Sequence, residues 1–442
     1  MNGSFYNGIS GIKTNQYGID IWSNNIAGIS TAGFKASTPE FSNIFNTQLQ
    51  NSYFNPISND IGLGSSIQGS TTDFRLGSLI DTGNKYDLAI NGKGWFGVTD
   101  QNGDKFYTRA GAFQKDRDGF LVDNEGNYVT GSSTNNFTNG VIVDNPKLNA
   151  EFGLISNQKK IQLPDELIIP SSPTTEVKFA GSLNADIITK FSPLTEKEEE
   201  VANIEIYRTN IIDGNGDENS LEITFTKVVP QTPIGIQWNA QAIVRDRDKN
   251  ILSTQDGQIA FNERGAIISN ELTTIDNNGS QISLNFGTLY DSNTPKSGFD
   301  GLVSLRGFEG ERITTKDGHK QGNIIEYGFN REGVIVANFD NGQTIPMYKI
   351  AVYNFQNENG LEQANPVYFK ETVNSGKARF YTDKDGNQLQ TSSISNKKLE
   401  MSNVNYATAL TELLIIQKAF DASAKSITTS DQMIQNAINM KK

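Results

Sequence analysis

Phe5, Ile12, Ile19 and Ile26 recur at strict seven-residue intervals, and Ile9, Gln16 and Ser23 follow the first three at four residues. The N-terminus therefore reads as a helix whose seam is polar in its lower half. The C-terminus carries the stronger pattern: Leu413, Phe420, Ile427 and Ile434 form one heptad series, and Leu410, Gln417, Ala424, Asp431 and Ile438 form the other. Ser402 or Asn403 is placed to cap that helix. Neither end can bury its stripe alone, so the two are expected to pair with each other and with helices of neighbouring copies.

The middle of the chain changes period. Residues 31–75 are rich in Ser, Thr and Gly and read as an extended connector, with one short helical turn near Phe41 to Phe45. From 76 to 145, alternating runs such as Asp87-Leu88-Ala89-Ile90 are separated by Asn91-Gly92, Asn102-Gly103 and Asp118-Gly119, which are hairpin signals in series. Residues 146–300 hold Pro146, Pro164, Pro170, Pro173, Pro193, Pro230, Pro233 and Pro295, and the short strands resume after 300. The expected fold is mainly β with α-helical termini. Residues 1–30 plus 400–442 form a coiled-coil-like helical domain, followed by a discontinuous β domain of 76–145 plus 301–399. An outer β domain, 146–300, is inserted into it.

Length agrees with several domains, since 442 residues at about 150 per domain give roughly three. A net charge of -12 leaves no basic surface to neutralise phosphates, so neither nucleic acid nor an anionic membrane is an expected partner. The chain has no Cys and one His, which removes thiolate chemistry, disulfides and His-based triads. No stretch approaches the roughly 18 apolar residues of a membrane span, and the N-terminus lacks the basic and apolar regions of a cleavable signal.

Motifs that suggest chemistry fail on context. Gly92-Lys93-Gly94-Trp95-Phe96-Gly97 has the spacing of a dinucleotide loop, but a further strand and turn follow it where a helix is needed to face a phosphate. Asp213-Gly214-Asn215-Gly216-Asp217 begins like a calcium loop, yet Glu218 and Thr224 occupy the positions that need Gly and a bidentate Glu. His319 reads as a surface loop residue and Glu196-Lys197-Glu198-Glu199-Glu200 as a solvated loop. No catalytic, metal or cofactor-binding residue is assigned, no cofactor is expected, and the chain is not expected to be an enzyme.

Three separated blocks carry a family resemblance. Ser23-Asn24-Asn25-Ile26-Ala27-Gly28 with Thr31-Ala32-Gly33-Phe34-Lys35, then Tyr86 to Phe96 with Tyr107 to Phe113, then Leu399-Glu400-Met401-Ser402-Asn403-Val404 together resemble the flagellar rod and hook family. Gly28 stands where that family usually has Asn, a departure expected to loosen the end of the first helix. Segments 339–343 and 352–361 are also similar, so the resemblance covers roughly 1–145 and 315–442. The large insert favours hook members over the shorter rod members.

The resemblance implies a structural subunit that assembles into a flexible tube and transmits torque. Phe5, Ile9, Ile12, Ile19, Ile26, Leu410, Leu413, Phe420, Ile427, Ile434 and Ile438 would be the self-assembly residues, and Phe5 and Ile9 also an export element. Asn24, Asn25, Gly33, Phe34, Lys35, Ser402, Asn403 and Val404 carry the family motifs. Implied partners are the chain itself as a helical homopolymer, the rod, hook cap and hook–filament junction proteins, and the flagellar type III export apparatus. The implied location is the extracellular flagellar hook, reached without a cleaved signal peptide. Competing expectations are a distal rod-type protein and a secreted β-rich adhesin or glycan-acting enzyme.

Overall fold

The computed structural model describes residues 3–44, 46–48, 60–62, 64–151, 153–230, 237–294, 297–307, 310–382, 388–389 and 392–440. Two long helices occupy the ends, α1 (Gly3–Ala27) and α2 (Tyr406–Asn439). They run antiparallel: the Ser4 and Ser430 hydroxyls lie 2.9 Å apart, while Gly18 faces Ile416 further along. Asn405 caps α2, its side chain accepting from the Thr408 amide. The cap was expected at Ser402 or Asn403, but the Asn403 amide is used elsewhere, on Ala36, Asp73 and Arg75.

The stretch after α1 is more ordered than an extended connector. Ser37–Asn43 pairs antiparallel with Ser65–Thr72, and this ribbon lies along α1, with Thr14 and Ser65 hydroxyls 2.9 Å apart. Phe41 belongs to a strand, so the helical turn expected to start there is absent; Phe45 lies outside the described residues. Alternation was obscured because Ser and Thr fill both faces of this ribbon.

A large mixed sheet forms the host β domain, and its strand Trp95–Thr99 is buried on both faces. Alternation sends Phe96 and Val98 into a core with Leu88, Ile335 and Met347, and turns Trp95 to the other side, against Phe369 and Tyr353.

The inserted domain is a second β unit with its own core around Phe179, Phe225, Trp238 and Phe261. Its main sheet is an antiparallel meander from Ile204–Ile212 through Ile267–Asn270. Its limits differ from the expected 146 and 300. Lys159–Lys160 and Ile168–Ile169 pair with host strands, whereas Ile313–Lys316 pairs with the inserted strand Glu176–Asn184. The chain passes between the two units at an antiparallel bridge of Ser172 and His319, so the crossing falls near 172 and 319. Proline density marked the irregular approach to the insert, and proline says nothing about which sheet the intervening short strands join.

Ile161, Leu163, Leu167 and Ile169 are buried in the host core. Removing 144–300 by joining Val143 to Gly301 is therefore expected to abolish cooperative host unfolding, since each lost Ile or Leu is worth about 2–5 kcal/mol. Replacing 174–317 by a short Gly/Ser linker should leave a cooperative transition in urea, and comparison of the two deletions checks the assignment.

Candidate assembly surface

The face α1 turns to α2 is built from small residues at alternating four- and three-residue steps: Ser4, Gly8, Gly11, Asn15 and Gly18. A Cβ built on Gly8 would lie 2.6 Å from Ile427 Cγ1, one on Gly11 2.6 Å from Ser423 Oγ, and one on Gly18 2.9 Å from Ile416 Cδ1. Side chains there would push the helices apart. From α2 the matching row is Ile416, Ser423, Ile427 and Ser430. One expected heptad series thus meets α1, while the other is shifted by one residue, to Ala409, Ile416, Ser423 and Ser430.

The predicted assembly residues divide accordingly. Phe5, Ile9, Ile12, Ile19 and Ile26 are half-buried and sit one position off the glycine row, on the flank of α1. Ile9 lines a groove of about 400 Å³ with Tyr6, Lys13, Ile44 and Ile67. Leu413, Phe420 and Ile427 are half-buried, whereas Leu410, Ile434 and Ile438 are exposed. Ile434 and Ile438 continue the row of Ile427 and Ser430 past the start of α1, whereas Leu414, Ile415 and Met433, not singled out from the sequence, face away from α1, at 53%, 56% and 60% exposure. The sequence signal that would have fixed the phase is the small-residue row, not the apolar one.

Where the helices meet the β domain, the three family blocks converge on a buried ionic cluster. Glu400 Oε1 accepts from Lys35 Nζ at 2.6 Å and from the Gly77 amide at 3.0 Å, and Glu400 Oε2 accepts from Arg109 Nη1 at 3.2 Å. Lys35 and Glu400 side chains are wholly buried and Arg109 nearly so. Other donors reach backbone, Lys35 Nζ the Arg75 carbonyl at 2.7 Å and Arg109 Nη2 that of Gly92 at 2.8 Å, while Arg109 Nε is buried without a hydrogen-bond partner. Burial pulls Lys35 below the usual lysine range, and the Glu400 charge opposes that pull. Burial likewise works against the charge of Arg109, again countered first by Glu400.

Other motif residues surround this cluster. Asn25 is fully buried and clasps Ser37 through both its amide atoms, at 2.6 and 2.9 Å. Asn24 is exposed. Gly33 has φ +72°, and a side chain there would strike the Ala110 backbone; its amide donates to the Glu400 carbonyl at 2.8 Å. Phe34 is buried against Gly28, where a Cβ would come within 2.5 Å of the ring. Gly28 therefore makes room for Phe34, and α1 continues into a tight helical turn rather than loosening. The Ser402 hydroxyl accepts from the half-buried Val404 amide at 3.3 Å, and Asn403 joins Ala36 to Asp73. Glu400 and Arg109 were quoted within the motif blocks without a role, because no local pattern pairs residues 291 apart.

The motifs set aside on context have structural partners. Gly92 and Gly94 turn the chain into Trp95–Thr99. Burial pushes Asp213 upward, but Asn278 and the amides of Asp217, Asn215 and Gly216 hold it below the usual carboxylate range, as a self-contained turn. His319 is half-buried at the domain crossing, not on a free loop.

Two family models match the chain, the flagellar hook protein FlgE/F/G D1 domain over residues 89–182 and the flagellar basal body rod FlgEFG protein C-terminal over residues 395–440. The flagellar hook protein FlgE of Escherichia coli K12 is 27% identical across 99% of this chain and 100% of its own length. That of Borreliella burgdorferi is 26% identical over the full length of both. Among solved structures, Helicobacter pylori flagellar hook protein FlgE2 shares the fold with TM-score 0.52 at 16% identity, covering 73% of this chain and all of its own.

One carboxylate serving two buried cations predicts an order of effects. Glu400→Ala strands both charges and is expected to cost about 3–5 kcal/mol, whereas Lys35→Met leaves Arg109 to neutralise Glu400 and should cost less. Urea unfolding of the two variants measures the difference; equal costs would contradict a shared cluster.

Proposed function

We propose, for a chain that belongs to the family of flagellar hook proteins, that the outward face of α2 and the flank of α1 are the surfaces on which copies assemble. The protein is a structural subunit of the bacterial flagellar hook. The observation that carries the assembly reading is the exposure of Leu414, Ile415 and Met433 on a helix whose other face is already occupied by α1. A row of apolar side chains on a helix so long gains its burial from other helices.

In this reading the paired terminal helices line the inside of a tube, the host β domain forms a middle shell and the inserted domain an outer one. The cluster at Glu400 holds the helices at a fixed attitude to the middle shell. The polymer works through geometry and catalyses nothing. Its neighbours are the rod at one end and the cap and junction proteins at the other, and the subunit leaves the cell through the flagellar type III apparatus without cleavage of a signal. Phe5 and Ile9, one helical turn apart on α1, serve as the export element before the helix folds.

Negative-stain microscopy of purified protein tests the assembly surface. Leu414→Asp and Ile415→Asp, on the outward face, should abolish tubes while leaving the melting of the β domains unchanged, because burying an unpaired charge costs several kcal/mol. Phe420→Asp and Ile427→Asp should also abolish tubes, Ile427→Asp by parting α2 from Gly8 of α1. Normal tubes from the first pair would remove the outward face from the interface. For export, replacing Phe5 and Ile9 by Ser should retain the protein in the cytoplasm, checked by fractionation.

A further inference from the structure

The inserted domain carries a β-ribbon that, among the described residues, joins no larger sheet. Ile188–Ser192 pairs in register with Lys197–Val201, and its tip exposes Phe191 at 65% and Leu194 at 96%. A two-stranded ribbon standing alone in water is marginal. Its root, however, is held firmly. Asn203 Nδ2 donates to the carbonyls of Asn184 and Asp186, each at 2.8 Å, and the buried Lys227 ammonium donates to the Ala185 carbonyl at 2.6 Å. Arg306 Nε holds the Asp186 carboxylate at 3.3 Å. Fixing the base of a ribbon whose apolar tip is exposed makes sense where the tip has a partner.

The chain offers a surface of the opposite character on its host domain. Leu148 is 77% exposed and Leu154 66% exposed, and the same stretch holds Lys159 and Lys160. This surface is also anchored: Asn136 Nδ2 donates to the Lys147 carbonyl at 2.7 Å, and the Gly153 amide donates to Ser132 Oγ at 2.6 Å. Charges are complementary. Residues 188–201 hold two Lys and four Glu, a net of -2, while residues 147–160 hold three Lys and one Glu, a net of +2.

We propose that the ribbon docks on the 147–160 surface of a neighbouring copy of this chain, Phe191 and Leu194 packing on Leu148 and Leu154 with Glu198, which lies opposite Phe191 on the same face of the ribbon, beside Lys159. The proposal rests on the hook-subunit reading, which supplies neighbouring copies at high local concentration. Two different surfaces meeting head to tail make a heterologous contact, which propagates into an open helical assembly rather than a closed pair. The acidic ribbon gives the contact its register and the apolar tip most of its strength.

The absence of Cys allows a direct test. Leu154→Cys and Leu194→Cys chains, mixed, assembled and oxidised, should give a disulfide-linked dimer that neither variant gives alone. Dimer from Leu194→Cys alone would mean that ribbons meet each other, and tubes without any dimer would place the ribbon elsewhere; either result overturns the docking while leaving the hook reading intact. Failure of the unmodified chain to form tubes would instead remove the reading on which the docking rests. In a second arm, Glu198→Lys should raise the critical concentration for assembly about tenfold with an unchanged melting curve, and adding Lys159→Glu should restore it. A charge-reversed chain that is not rescued would overturn the pairing.

Discussion

Glu400 is buried with two cations and no water-facing edge, and the arrangement of the molecule depends on it. Its partners come from the other end of the chain: Lys35 lies 365 residues away, just after α1, and Arg109 lies 291 residues away, in the host β domain. Placing three charges out of water is costly unless each hydrogen-bonding site is filled, and here backbone carbonyls of Ile90, Gly92 and Arg75 take most of the remaining donors. Such a cluster tolerates little displacement, because a small shift leaves a buried charge without its partner. The start of α2 and the end of α1 leave the host domain at this point, so the direction of both helices is tied to this ionic geometry, beside the packing of Phe34 on Gly28.

Beyond the cluster, the helices are held differently. Glycine and serine line most of the α1–α2 seam, so the backbones approach closely but bury few large apolar side chains. That contact favours a particular separation without supplying much hydrophobic energy. The larger apolar residues lie on the flanks and the outer face. A pair built this way leaves Leu414, Ile415 and Met433 exposed on the far side of α2.

Much of this was legible in the residues, and the failures have physical causes. Helical termini follow from the heptad periods, and the hairpin character of 76–145 follows from its Asn-Gly and Asp-Gly turns. The phase of the seam was missed by one residue because large apolar positions were taken as the interface, whereas here closeness selects Gly8, Gly11 and Ser423. The cap moved to Asn405 because Asn403 spends its side chain on three other backbone groups. Limits of the insert were misplaced since Ile168 and Ile169 look the same whichever sheet they enter. The pairing of Glu400 with Arg109 has no local signature at all; each residue is ordinary within its own block.

The bridge between Ser172 and His319 has one more consequence. Both passages into the inserted domain occur side by side in one antiparallel pair, where Cα atoms are only about 5 Å apart. To the host, the insert is thus a loop with fixed ends, and anything whose own termini lie that close together fits the same mount without disturbing Glu400 or the helices. Members of such a family are free to exchange, enlarge or shorten what they carry there. The inserted domain becomes the variable register of the molecule, while the joint at its base stays constant.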